Sequence, residues 1–391
     1  MKILITTDLF TTATNGVVTS IKNLREALQA RGHEIRILTV SDNKESRKED
    51  GVYYIKSMSV EFIYPEARVP LSYKNAYIDE LIDWNPDVIH SQCELCSYQF
   101  ALTIAEATGA PIVHTYHTMY EDYIGYVLPG KRFGKWLVKK LVKSRLKSAD
   151  AIVVPTQKVE NSLLDYGVDK KLFIVPSGIS LDQHRGRVSE DEKRELRAKW
   201  GVAEKDLLLL YLGRMGTEKN IAELVRFFAK GLEKNPNMTF MIVGGGPERE
   251  NLEKLTAELG VENKVVFTGM VPPTETHRYY QLGDVFVSAS TSETQGLTYV
   301  EAMANGLPLL CRNDECLNDL IINGINGYTY VTEEEFLDAL DSIAHNKEWR
   351  VQAGNRSADM ANVYDKSEFA LKLEKIYEEV CNSAFENKTE E

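Results

Sequence analysis

Two carboxylates, Glu293 and Glu301, frame a loop in the stretch VFVSASTSETQGLTYVEAMANG, residues 285–306. Its apolar start reads as a buried strand, its Ser/Thr/Gly-rich middle as a loop, and the part around Ala302-Met303-Ala304 as a helix with small residues on its packing face. A loop entering a helix offers unpaired N–H groups and a positive dipole end to an anion, while its carboxylates can hold hydroxyls. A phosphorylated sugar carries both features. Gly296, between the two carboxylates, lets the backbone approach whatever is bound. A second group lies in GRMGTEKN, residues 213–220, between an apolar strand and a helix. There Arg214 offers a planar fork and Lys219 a point charge beside a Gly-bearing turn, a combination suited to a diphosphate. GxxxxGK[ST] is absent, so this is not a P-loop. The strand exit VGGGPE, residues 243–248, lacks G-x-G-x-x-G and by its residues alone fits a tight turn as well as a nucleotide contact. A fourth group, HTYHTMYEDY, follows the strand at Pro111 to Thr115 and brings His114, His117 and Glu121 close together. Strand geometry there is wrong for a cage of these three around a metal.

The elements that must carry these residues alternate between strand and helix. Residues 2–7, KILITT, form a first strand, followed by a loop with Asn15-Gly16 and a helix that closes at Gly32. That is the opening of a Rossmann-like half, with Gly16 placed where an amide can reach a phosphate. Further strands are expected at 33–40, 87–90, 111–115, 151–154 and 172–175, then in a second series at 207–213, 239–244, 264–269, 285–288 and 308–311. Such alternation implies parallel sheets covered on both faces. With 391 residues the chain exceeds one usual domain, and two of roughly 180 residues are expected. The apolar period breaks after Pro176-Ser177-Gly178, which sets the boundaries at 1–183 and 184–365, with a last helical segment at 366–391.

Composition narrows the function classes. The net charge of −12 argues against nucleic acid as a partner. No apolar run approaches the roughly 20 residues that span a bilayer, and Met1 leads straight into a strand. A cytoplasmic protein is expected, and five scattered Cys fit reduced thiols. One segment opposes the acidic balance: residues 131–147, KRFGKWLVKKLVKSRLK, hold eight Lys/Arg and no acid. On a helical wheel Lys135, Lys139, Lys140, Lys143 and Lys147 share one arc, opposite Phe133, Leu137, Val138, Leu141 and Val142. The apolar arc is expected to pack on the first domain. Trp136 falls among the lysines, and a basic face with one aromatic suits the headgroup level of an anionic membrane.

Glu293, seven residues, then Glu301 and Ala302-Met303-Ala304 resemble the E-x7-E signature of the retaining nucleotide-sugar glycosyltransferases of family 4. The other groups stand in that family's order. The resemblance implies the GT-B architecture: two Rossmann-like α/β domains facing a cleft, with the C-terminal helix crossing back to the first. It also implies roles. Arg214 and Lys219 would neutralise the leaving diphosphate, and Gly244 and Gly246 would wall the donor site. Glu293 would hold sugar hydroxyls, Glu301 the ribose diol, and His117 would lie beside the sugar. Amides near Gln295, Gly296 and Leu297 would steady the hexose and phosphate. Relatives often carry Gly-Gly where this chain has Asn15-Gly16, a departure that leaves the loop conformation open. The common E-G-F-G-L is E-T-Q-G-L at Glu293 to Leu297, which resembles bacterial glucosyltransferases that glycosylate diacylglycerol from UDP-glucose.

The expected reaction is therefore retaining hexosyl transfer from a UDP-sugar, UDP-glucose first, to a lipid acceptor at the inner face of the cell membrane. No Asp-x-Asp metal motif occurs, so neither metal nor cofactor is expected, the diphosphate charge being met by protein cations. The same chemistry on a soluble acceptor, a UDP-sugar epimerase on the same fold, and a non-catalytic sugar-nucleotide binding module remain open at this stage.

Overall fold

The computed structural model describes residues 1–10, 16–60, 68–119 and 131–390, apart from the side chains of 131–133, 135 and 387–390. Asn15, Glu121 and the side chain of Lys135 thus lie outside the described residues. The chain divides into two units, Met1–Gly178 with Lys366–Glu391, and Ile179–Asp365. The boundary falls earlier than the expected 183 because Ile179 and Leu181 are buried in the second unit's core. The Ile179 amide also donates to Tyr364 O at 2.8 Å.

The first domain carries β1 (Lys2–Thr7), β2 (Glu34–Val40), β3 (Arg47–Glu49), β4 (Val52–Ile55), β5 (Ser57–Ser59), β6 (Arg68–Pro70), β7 (Val88–Ser91), β8 (Ile112–Thr115), β9 (Ala151–Val154) and β10 (Leu172–Ile174). Its main sheet runs β10-β9-β8-β7-β1-β2-β4-β3, parallel except for the β3–β4 pair, while β5 and β6 form a separate antiparallel pair. β1 shows why the sheet sits in the middle. Ile3, Leu4 and Ile5 are all fully buried, with Leu4 in one core and Ile3 and Ile5 in the other, so the strand needs cover on both faces.

The face of Ile3 and Ile5 is covered by the helix Gly16–Ala30 and by the last helix, Lys366–Glu390, whose Phe369, Leu373, Ile376 and Tyr377 join that core. Polar contacts fix this helix. Tyr377 Oη lies 2.6 Å from His90 Nδ1, and His90 Nε2 lies 2.7 Å from Thr115 Oγ1. Glu374 Oε1 lies 2.7 Å from His33 Nε2, and Lys366 pairs with Glu26 at 2.7 Å. Burial holds the His90 imidazole well below its ordinary pKa, so it bridges helix and sheet as a neutral ring.

The helix Lys131–Leu146 corrects one expectation. Val142 and Leu146 are buried and Val138 packs beside them, whereas Leu137 and Leu141 stay 40% and 45% exposed. The packed stripe is the i, i+4, i+8 row 138-142-146, which turns the 137-141 row outward. Trp136 is 55% exposed on the same outer surface, with Lys140 Nζ 5.4 Å from its ring. Lys139 Nζ instead lies 5.0 Å from the Tyr166 ring, and Lys143 reaches toward Gly167. The outer face is therefore apolar and basic together, with two of the expected lysines on its flank.

The second domain holds β11 (Leu207–Leu212), β12 (Met238–Val243), β13 (Val265–Gly269), β14 (Val285–Ser288), β15 (Leu309–Arg312) and β16 (Gly327–Tyr330), all parallel, in the order β13-β12-β11-β14-β15-β16. Strand order reverses between β11 and β14. In an open α/β sheet ligands bind beyond the carboxyl ends of the strands at such a switch point. The corresponding point in the first sheet lies where β1 is flanked by β2 and β7.

Replacing Tyr377 with Phe keeps the ring and strips one buried imidazole nitrogen of its partner, a loss of about 1–3 kcal/mol. The urea midpoint of the transition reporting the first domain is expected to fall. An unchanged midpoint would show that the bond contributes nothing to docking the last helix.

Candidate active site

At the second domain's switch point, the loops that follow β11 and β14 meet. Lys219 Nζ, in the loop after β11, pairs with Glu293 Oε1, in the loop after β14, at 2.5 Å. Arg214 Nη2 pairs with Glu218 Oε1, also at 2.5 Å. The loop after β12 closes on the same place by backbone bonds, with Met215 N donating to Gly245 O at 2.8 Å and Glu248 N to Met215 O at 3.1 Å. That approach requires glycine. Gly244 and Gly246 have φ of 134° and 153°, and a Cβ on either would run into the backbone of Gly213 or Met215.

Gly296, at φ 76°, is the N-cap of the helix Leu297–Ala304, and Gln295 before it is buried. The helix opens with its amides beside Glu293, the arrangement that favours an anion. One turn further on, Glu301 accepts a hydrogen bond from Tyr280 Oη at 2.7 Å. Desolvation pushes the Glu301 carboxyl up to about 7, a rise that the Tyr280 bond partly offsets. Arg214, Lys219, Gly244, Gly246, Glu293, Gln295, Gly296, Leu297 and Glu301 thus stand in the loops that follow β11, β12 and β14 or in the helix that the last of these loops enters.

Gly16 and His117 belong to the first domain. Gly16 is exposed at the start of its helix. His117 follows β8, and its Nε2 lies 2.7 Å from Gln92 Oε1 in the loop after β7. Burial lowers His117 to about 4 against the opposing pull of Glu94, so the ring is neutral near pH 7. His114 is fully buried with Nε2 3.0 Å from Glu94 Oε1, which makes it a structural partner. Asp8, just past β1, accepts from Ser97 N at 2.6 Å, and burial raises it to about 6. Among the described residues no group of three His, Cys, Asp or Glu is placed to hold a metal ion.

Residues 14–183 match the model of Glycosyltransferase Family 4, and residues 192–360 that of Glycosyl transferases group 1. An alpha-monoglucosyldiacylglycerol synthase of Streptococcus pneumoniae is 34% identical over 87% of this chain and 77% of its own length. The chain belongs to glycosyltransferase family 4. Another alpha-monoglucosyldiacylglycerol synthase, from Acholeplasma laidlawii, is 30% identical over 96% of both chains. Among solved structures, sucrose-phosphate synthase from Thermosynechococcus elongatus superposes with a TM-score of 0.78 at 19% identity, covering 98% of this chain and 99% of that one. Anabaena HepE in complex with UDP-glucose gives 0.76 at 14%, covering 97% and 100%. At these identities the superpositions establish the GT-B fold of this glycosyltransferase.

Several residues that contact these side chains went unread in the sequence. Tyr280 sits in HRYYQLGD and Gln92 in HSQCELC, neither part of a spaced motif; only the fold brings them to Glu301 and His117. Glu218 stands inside the GRMGTEKN run but drew no role, since a lone Glu in a loop is usually solvated.

Glu301 binds its proton more tightly folded than unfolded. The stability it contributes is present below the ordinary glutamate range and is lost as pH rises to about 7, at up to about 1.4 kcal/mol per pH unit. Glu301→Gln removes that loss, so the stability of the variant relative to the parent should climb from about pH 5 to about pH 7 and then level off. Asp8 acts in the same direction, while His117 and His184 act oppositely. All three are common to both proteins and cancel in the difference. Urea midpoints across this range measure it, and a flat difference would mean that the carboxyl is not shifted.

Proposed function

We propose that this glycosyltransferase moves a glucosyl group from UDP-glucose to a membrane lipid, a diacylglycerol or glycosyl-diacylglycerol, with retention of configuration and without a metal ion. The observation that carries the donor half is the meeting of Lys219 and Glu293 at the switch point, with Arg214 on the same loop. A cation and a carboxylate in contact there match the two ends of a sugar diphosphate, which takes the place of their mutual contact. Lys219 and Arg214 bind the diphosphate and the amides at Gly296 and Leu297 steady it. Glu293 turns to sugar hydroxyls and Glu301 to the ribose diol.

As the C1–O bond to phosphate breaks, negative charge gathers on the leaving oxygen, where preorganised cations act most strongly. The acceptor hydroxyl attacks C1 from the same face and gives its proton to that phosphate oxygen. Neutral His117, oriented by Gln92, contacts the sugar. With the diphosphate charge met by two protein cations, a metal has no remaining electrostatic task.

The lipid acceptor is supported by the two relatives, whose names give monoglucosyldiacylglycerol as their product. The exposed Trp136, Leu137, Lys140 and Leu141 support attachment to the cytoplasmic leaflet. Among the described residues no helix is long and apolar enough to cross a membrane, so this contact would be peripheral.

Labelled UDP-glucose supplied with diacylglycerol vesicles should yield a glucolipid whose anomeric proton identifies the α product by NMR, at a rate unchanged by excess EDTA. A β product, or loss of activity with chelator restored by Mn²⁺, overturns retention or metal independence respectively. Lys219→Ala should lower turnover on the order of 10²-fold or more.

Membrane binding is read by sedimentation. Changing Trp136 and Leu141 to Ser together with Lys140 to Gln should release the protein from anionic vesicles, since each Lys near such a surface contributes about 1 kcal/mol and the apolar side chains add burial. Equal sedimentation of parent and variant would move the membrane contact elsewhere.

A further inference from the structure

We propose that Glu218 is a positioning residue for the reaction: a withdrawn carboxylate that aims the Arg214 guanidinium at the donor diphosphate, seated in a recess that Gly216 leaves open. This rests on the donor reading above. The two partners differ in exposure. The Glu218 side chain is 7% exposed and that of Arg214 is 49% exposed. A carboxylate so removed from water costs free energy unless it is paired, and the guanidinium at 2.5 Å supplies the pairing. An exposed i, i+4 ion pair would carry little. This one has its anion inside the loop and its cation half in solvent, as a tether fixed at one end would.

The recess is built by a missing side chain. A Cβ on Gly216 would collide with both carboxylate oxygens of Glu218. Gly216 lies at φ −105° and ψ 158°, an extended conformation open to any residue, so glycine is there for space and not for backbone freedom. The loop backbone has other supports. Tyr211 Oη donates to Arg214 O at 3.0 Å, Met215 N to Gly245 O at 2.8 Å, and Lys219 N to Gly216 O at 3.0 Å. None of these sets the direction of the Arg214 side chain. Glu218 does, because a guanidinium held at Nη2 turns its other N–H donors away from the carboxylate, while an untethered one samples many rotamers. Lys219, the next residue, turns instead to Glu293, so the adjacent carboxylate serves Arg214 alone of the two cations.

Two variants test this from different sides. Glu218→Gln removes the charge, and Gly216→Ala evicts the carboxylate without altering it, at small cost to the fold because only a flexible side-chain end must move. Each should lower kcat/KM for UDP-glucose on the order of 10²-fold, the scale of a misplaced reacting contact. UDP should bind more weakly to both while uridine, which lacks phosphate, binds as to the parent, and the melting temperature should hold. In the background of Arg214→Ala, Glu218→Gln should add little, since both changes act through one guanidinium.

Parental UDP affinity and turnover in Glu218→Gln, additive losses in the double variant, or equal weakening of uridine and UDP would each overturn the proposal. The first two would leave Glu218 without a link to Arg214, and the third would make its role structural. If Arg214→Ala itself behaves as the parent, the diphosphate reading of this loop fails, and the positioning role with it. If Arg214→Ala is crippled and Glu218→Gln is not, only the positioning role fails.

Discussion

A charge that leaves water must be met by an opposite charge, and in the second domain this requirement falls at the point where strand order reverses. Lys219 and Glu293 are each about one-fifth exposed or less, come from loops on opposite sides of the β11–β14 boundary, and neutralise one another at 2.5 Å. The contact draws the two loops together before any ligand arrives. On the proposed reading a sugar-diphosphate donor would separate the pair and give each partner a replacement, phosphate oxygens for the lysine and hydroxyl donors for the carboxylate. Glu301, farther along the helix, meets the same requirement differently. Its partner among the described residues is a tyrosine hydroxyl and not a cation, so its carboxyl holds a proton into the neutral range.

The first domain solves a related problem with neutral groups. Three histidines lie close to the carboxyl ends of β7 and β8, and burial depresses two of them, His90 and His117. A neutral imidazole can donate from one nitrogen and accept at the other, which lets His90 tie the last helix to the sheet through Tyr377 and Thr115. The helix Lys366–Glu390 follows the second domain in sequence yet belongs to the first domain's core. Its apolar residues Phe369, Leu373 and Ile376 cover a sheet face that the helix Gly16–Ala30 leaves partly bare, so the first domain is complete only when the end of the chain returns to it.

Much of this was legible in the sequence because it depends on local chemistry. The strand series, the strand–loop–helix corners, the glycines at 244, 246 and 296 and the E-x7-E spacing are properties of short segments, and the family could be identified from them. Strands β3, β4, β5, β6 and β16 were not expected from the sequence; β4 (VYYI) and β16 (GYTY) carry tyrosines in place of a clean aliphatic run and follow turn glycines, Gly51 and Gly324. The helix Lys131–Leu146 was assigned correctly as a helix and incorrectly in rotation. Its wheel offers two apolar rows, 137-141 and 138-142-146, and periodicity cannot say which one meets a neighbour.

Sequence alone determined which side chains could do the chemistry and which kind of element would carry each, since residue type and spacing set both. Tertiary structure decided which of them are partners. That Glu293 holds Lys219, that Tyr280 holds Glu301 and that Glu218 sinks behind Arg214 are contacts between loops that sheet topology brings together, or between side chains sorted by burial. Neither is written in the spacing of a motif. The boundary after Gly178 and the outward turn of Leu137 and Leu141 were settled the same way. Ile179 and Val142 each had a core to enter, and the apolar area they bury there outweighs any preference visible along the chain.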